Sequence, residues 1–272
     1  MSSNPKQRQP ALFLPHGGGP CFFMDWTWGP ADTWHATQRF LESVASSLPE
    51  KPKALLVISG HWEEPVFTCS AVSKPDLIFD YSGFPQHTYQ LTWPAPGNPA
   101  LAERVIGILR EARLFAIPSF NRGYDHGVFV PLKVAFPQAQ IHVVTMSLDQ
   151  TLDPALHIAA GRALAPLRDE GVLIIASGMS FHNLRGYLRP ETPERARAFD
   201  TWLTAAVESP APERDALLTN WQTAPFAAYA HPREEHLIPL MVAAGAGGQA
   251  AGKRIFTDDP MGAKISAYRF DG

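Results

Sequence analysis

The stretch LLVISGHWEE, Leu55 to Glu64, decides the fold. Four apolar residues run into a small Ser59-Gly60 pair, then His61, Trp62 and two acids. An apolar run without alternation is the signature of a strand covered on both faces, as in a parallel sheet flanked by helices. The abrupt change of chemistry at Ser59-Gly60 predicts that the strand ends on His61, and ligand sites of open α/β sheets lie beyond strand carboxyl ends.

The same signature recurs. ALFLP (11–15) ends at HGGGP, and IHVVTMSL (141–148) and GVLIIASG (171–178) are two further β-branched apolar runs. TCSAV (68–72), RIFTD (254–258) and ISAYRF (265–270) read as additional strands, the last alternating as an edge or antiparallel strand does. Helical spacing covers Thr33–Leu48, Asn98–Arg113, Asp153–Asp169, Pro193–Ser209, Glu213–Gln222 and His236–Ala244. Asn98-Pro99 and Asp153-Pro154 are cap-then-proline starts. Strands alternating with helices give an α/β fold, a central mostly parallel sheet flanked by helices, with a site at the strand C-terminal edge. The turn-rich aromatic segment 79–99 reads as a loop over a pocket.

The chain has 272 residues and is 45% hydrophobic, enough for a substantial core. No linker, repeat or low-complexity run divides it, so one catalytic domain over 11–272 is expected behind a polar tail, 1–10. A net charge of −3 without a basic block argues against nucleic acid as a partner. No apolar run approaches the ~20 residues of a bilayer span. The opening MSSNPKQRQP has no apolar signal core, and the two cysteines, Cys21 and Cys69, make no disulfide framework, so a cytoplasmic location is expected.

The ten histidines carry more information. His16, His61 and His182 fall at or just after three predicted strand ends. His126 sits in a Gly-flanked loop before a helix, and His236 at a helix start. Imidazole binds zinc, iron and copper, and it moves protons near neutral pH. Five in one cleft can do both. Asp125 can orient an imidazole or cap the helix that follows it; Glu234 and Glu235 are carboxylates beside His236 or acids of a helical first turn. Trp62, Phe84, Tyr89 and Trp93 are candidates for pocket walls, and Asp125 for substrate contact. His35, His142 and His157 read as structural or surface residues, and His87 and His231 as loop residues near the mouth. No GxGxxG after a strand, GxxxxGK[ST], GxSxG, CxxC or HExxH is present. A metal site assembled from distant loops is what remains.

PHGGGP, SGHWEE, YDHGVFVPL, SGMSFHNL and EEHLIPL, in that order, resemble the DOPA-dioxygenase type of class III extradiol ring-cleavage dioxygenases, over about residues 11–270. The resemblance implies a catechol-type substrate opened with O2 at one divalent metal, Fe(II) or Zn(2+). By matching motifs, it implies His16, His61 and His236 as ligands, His182 as acid/base, and His126 as a residue that meets substrate or oxygen. The protocatechuate branch carries a glutamate as third ligand; here Glu235, one residue from His236, is the alternative. The rival readings are a zinc-dependent hydrolase with the same ligands and a non-catalytic metal-binding protein.

Overall fold

The strands form where apolar side chains have two faces to fill. In the computed structural model, which describes residues 8–272, the elements run β1 (Ala11–Pro15), α1 (His35–Val44), β2 (Ala54–Glu64), β3 (Phe67–Ser70), α2 (Pro99–Glu111), β4 (Ala116–Ser119), α3 (His126–Ala135), β5 (His142–Asp149), α4 (Pro154–Leu164), β6 (Val172–Gly178), α5 (Thr192–Glu208), α6 (Ala211–Thr219), α7 (Ala227–Ala230), α8 (Ile238–Ala246), β7 (Lys253–Asp258) and β8 (Ile265–Phe270). One sheet joins the strands in the order β4-β3-β5-β2-β6-β1-β8-β7. The central four are parallel, whereas β3 runs antiparallel to β5, and β8 to both β1 and β7.

Leu55 and Val57 share a core with Leu41 of α1 and Phe129 of α3. Leu56 and Ile58 share the opposite core with Val105 of α2, Ile158 of α4 and Leu240 of α8. All four β2 residues are fully buried. Each such side chain contributes about 2 kcal/mol by leaving water, which is why this run carries no polar residue.

The parallel pairing brings the carboxyl ends of β1, β2 and β6 to one edge of the sheet. β2 does not stop at His61, as its sequence predicts. It continues to Glu64 through a bulge: Ile58 pairs with Met146, and the next pair along β5 is Glu63 with Leu148. The residues between leave that ladder, and a bulge of this kind re-aims side chains. His61 lies in it.

Several boundaries differ from the sequence expectation. His236 lies in the turn ahead of α8 rather than inside a helix, and His126 is the first residue of α3 rather than part of a loop. β4 and α7 are additional; Pro118 removes a donor from β4, which only an edge strand tolerates. The Asn98 and Asp153 caps form, accepting from Leu101 N and Ala155 N. Residues 1–7 of the expected tail lie outside the described residues. The rest of it is packed: Gln9 is fully buried and donates to the Glu50 carbonyl. Among the described residues no helix is long and apolar enough to cross a membrane.

Candidate active site

His16 follows β1 directly and is 2% exposed. The chain must turn sharply at once: Gly17 has φ +84°, and a Cβ there would come within 2.5 Å of Cys21 Sγ. The His16 Nδ1–H donates to the Gly17 carbonyl at 2.9 Å. Its Nε2 therefore carries a lone pair, and this atom is buried with no hydrogen-bond partner. A buried imidazole nitrogen left without a partner is costly unless a cation meets it.

His61 is held through its backbone. Its N–H donates to Ser59 Oγ (3.2 Å), and Ser59 donates to Asp125 Oδ1 (2.7 Å). Arg122 donates to Asp125 Oδ2 (2.7 Å) and to the His61 carbonyl (3.3 Å). His236 is held by its carbonyl, which accepts from Met179 N at 3.0 Å. That approach requires Gly178, since a Cβ there would stand 2.2 Å from the same oxygen. The His236 Nδ1–H donates to Glu235 Oε1 at 2.8 Å, which turns Nε2 inward.

The three imidazoles converge. His61 Nε2 and His236 Nε2 are 3.2 Å apart. The ring centroid of His16 is 4.9 Å from that of His61 and 5.1 Å from that of His236. Their ligating nitrogens all lie within 4.8 Å of one another. Nitrogens about 2.05 Å from a tetrahedral ion stand about 3.3 Å apart, so the spacing fits one shared cation. Burial, followed by the neighbouring imidazoles, holds His16 and His236 well below the usual histidine range; burial likewise takes His61 down to about 3. At neutral pH all three offer lone pairs, as metal binding requires.

Two further imidazoles adjoin them. His182 stacks on His236 with centroids 3.4 Å apart, and its Nδ1 is 3.6 Å from Glu235 Oε1. Burial, then His61 and His126, lower its pKa to about 4. The His126 ring lies 3.9 Å from that of His61. Asp80 Oδ1 accepts both the His126 backbone N–H (2.9 Å) and its Nδ1–H (2.8 Å), and Asp80 Oδ2 is 3.6 Å from His61 Nδ1. Burial raises the Asp80 pKa, but the bonds and charge of His126 outweigh it and bring it down to about 2. A cavity of about 580 Å³ opens over this cluster, with His16, His61, Asp80, His126 and His182 in its wall.

Residues 10–270 match the family described as the catalytic LigB subunit of aromatic ring-opening dioxygenase. The chain belongs to this family. It is an oxidoreductase of the extradiol dioxygenase class. It is similar to the 4,5-DOPA dioxygenase extradiol of Beta vulgaris, 38% identical over 86% of this chain and 89% of that protein. Dioxygenase tasH of Hapsidospora irregularis is 34% identical, covering 97% of this chain and 86% of its own. The Escherichia coli K12 4,5-DOPA dioxygenase extradiol is 33% identical over 88% of this chain and 85% of its own. A crystal structure of an uncharacterized Escherichia coli K12 protein superimposes with a TM-score of 0.78 at 29% identity, covering 97% of this chain and 100% of that one.

In this dioxygenase the sequence-derived wall residues divide. Phe84 lines the cavity; Trp62, Tyr89, Trp93 and Asp125 do not. Trp62, in the same bulge, is turned away from the cavity: it is buried, donates to Glu64 Oε1 and lies under Arg122. Trp93 is buried against Tyr124 and donates to the Phe136 carbonyl. Tyr89 stands behind Tyr81, ring to ring at 5.2 Å. Asp125 neither caps α3 with its side chain nor meets an imidazole; it is buried among Ser59 and Arg122. His231 is buried against Ser180, and His87 is exposed and bonded to the Phe23 carbonyl. Asp80 is the site residue that sequence reasoning missed.

Proposed function

We propose that this dioxygenase, as one catalytic domain over 11–272, opens a catechol-type ring next to, not between, its two hydroxyls. One divalent ion, Fe(II) or Zn(2+), would be held by His16, His61 and His236. Such an ion would supply Lewis-acid chemistry for a deprotonated catechol and, as Fe(II), redox chemistry toward O2. The single observation that carries the reading is the buried, partnerless His16 Nε2, facing a pair of imidazole nitrogens 3.2 Å apart.

The chain's own groups do the rest. His182 is neutral at neutral pH because burial disfavours its charge, so it can take the catechol proton as the diol binds. The Glu235 carboxylate, 3.6 Å away, then faces the imidazolium and stabilises it. The same proton is available to oxygen when the ring opens. His126 has its Nδ1 proton fixed on Asp80, which leaves Nε2 as the free nitrogen toward substrate or oxygen. That nitrogen is held in the cavity wall beside the site, where it would meet charge developing on oxygen. Glu235, bonded to His236 Nδ1, acts as an orienting carboxylate in this reading rather than as the third ligand. The free, buried Cys21 and Cys69 support a reducing compartment, the cytoplasm, as the place of work.

The test is oxygen uptake by anaerobically Fe(II)-loaded protein given a panel of catechols. The reading expects O2 and catechol to disappear in equal amounts with a yellow product. An all-imidazole set also suits zinc-activated water, so bound metal with no oxygen uptake across the panel would favour a hydrolase instead.

A further inference from the structure

The cavity extends well past the histidines. From His126 a line of rings runs outward: Tyr81 at 5.7 Å, Phe84 5.5 Å beyond it, Trp28 5.4 Å beyond that. Trp26 flanks Trp28 at 5.3 Å. The facing rim carries Leu184, Leu188 and Met261. Trp28, Leu184 and Leu188 are 54%, 72% and 62% exposed, an apolar mouth held open to water. Exposed apolar groups gathered around one opening mark a ligand site. Leu188 and Met261 also occupy left-handed backbone, φ +62° and +53°, and are joined by a hydrogen bond from Leu188 N to the Met261 carbonyl. Non-glycine residues hold that conformation at a cost, and such strain clusters at ligand clamps.

At about 580 Å³ the space takes a ligand several times the size of a single ring. The charged wall residue apart from imidazole is the Asp80 carboxylate; among the described residues no Lys or Arg lines the cavity. An acidic tail would lose water there and meet the Asp80 carboxylate with no Lys or Arg to offset it.

We infer that the preferred substrate is a catechol bearing an extended, uncharged apolar tail, alkyl or aryl, which lies along Tyr81, Phe84 and Trp28. This rests on the ring-opening reading above. The test compares kcat/KM of Fe(II)-loaded protein on methyl-, butyl- and hexylcatechol, and on dihydrocaffeate against its methyl ester. Each methylene that enters the slot raises kcat/KM by up to about fourfold, so butylcatechol exceeds methylcatechol by about tenfold or more. The ester exceeds the acid. Trp28→Ala lowers the butyl-to-methyl ratio at least about threefold. Turnover with a flat series, a preferred acid or an unchanged ratio in Trp28→Ala overturns the inference alone. No turnover of any of these catechols by metal-loaded protein overturns the ring-opening reading, and the inference with it.

Discussion

His61 Nε2 stands 3.2 Å from His236 Nε2, across 175 residues of chain. Two bare lone pairs at that distance repel; a proton or a cation must lie between or beside them. His236 has already committed its Nδ1 proton to Glu235, so its inward nitrogen is an acceptor. The pair is therefore built to share a positive centre.

Glu235 sets that acceptor. Glu235→Ala should weaken metal binding about tenfold to a hundredfold, the usual effect of losing a carboxylate behind a ligating histidine. Competition with a chromophoric chelator measures it, and unchanged affinity would remove Glu235 from this role.

Asp80 fixes the tautomer and direction of His126 through two bonds to one oxygen. Asp80→Asn should lower kcat about tenfold to a hundredfold while most of the metal stays bound. A kcat within twofold of the parent would show that His126 needs no such anchor.

His182 stacks on His236 and faces the same Glu235 oxygen that holds His236, 3.6 Å from its Nδ1. His182→Ala should keep the metal and lose about a hundredfold or more in turnover, as for a proton-transfer group. Near-normal turnover at full metal content would reject the assignment.

Much of this was legible in the sequence because its physics is local. Leu55–Ile58 and Val172–Ala176 can be apolar throughout only if both faces are covered, and they read as inner strands for that reason. Strand ends are then fixed in sequence, which put His16, His61 and His182 on one edge. ISAYRF reads as an antiparallel strand and is one, although β7 covers it and takes the edge. Asp80 was illegible because its partner, His126, is 46 residues away and nothing in FDYSG announces the contact. Its place in the loop expected over a pocket was the available signal. Trp62 was not excluded in advance, because the strand was expected to end on His61; only its continuation to Glu64 places the Trp62 ring against Arg122 and away from the cavity. The β4 strand hid behind Pro118, which reads as a breaker.

Acid should destabilise the metal-free protein. His231 is buried against the Ser180 carbonyl, Phe199 and Trp221, and burial takes its pKa down to about 3. Unfolded, it titrates at the usual histidine value of about 6.5, so the unfolded chain binds the extra proton. Stability is therefore full above about pH 6.5 and falls as pH drops below it, by about 1.4 kcal/mol from this residue at about pH 5.5. Denaturation in chelator across that range should show a shallower pH slope for His231→Phe than for the parent. Equal slopes would contradict the burial argument.

The most direct measurement is metal content per chain after anaerobic Fe(II) reconstitution, in the parent and in His16→Ala, with folding checked by circular dichroism. The account predicts about one ion per chain in the parent and close to none in the folded variant, because three nitrogens are the fewest that hold a site of this kind. A folded His16→Ala chain that keeps a full equivalent of metal would contradict it.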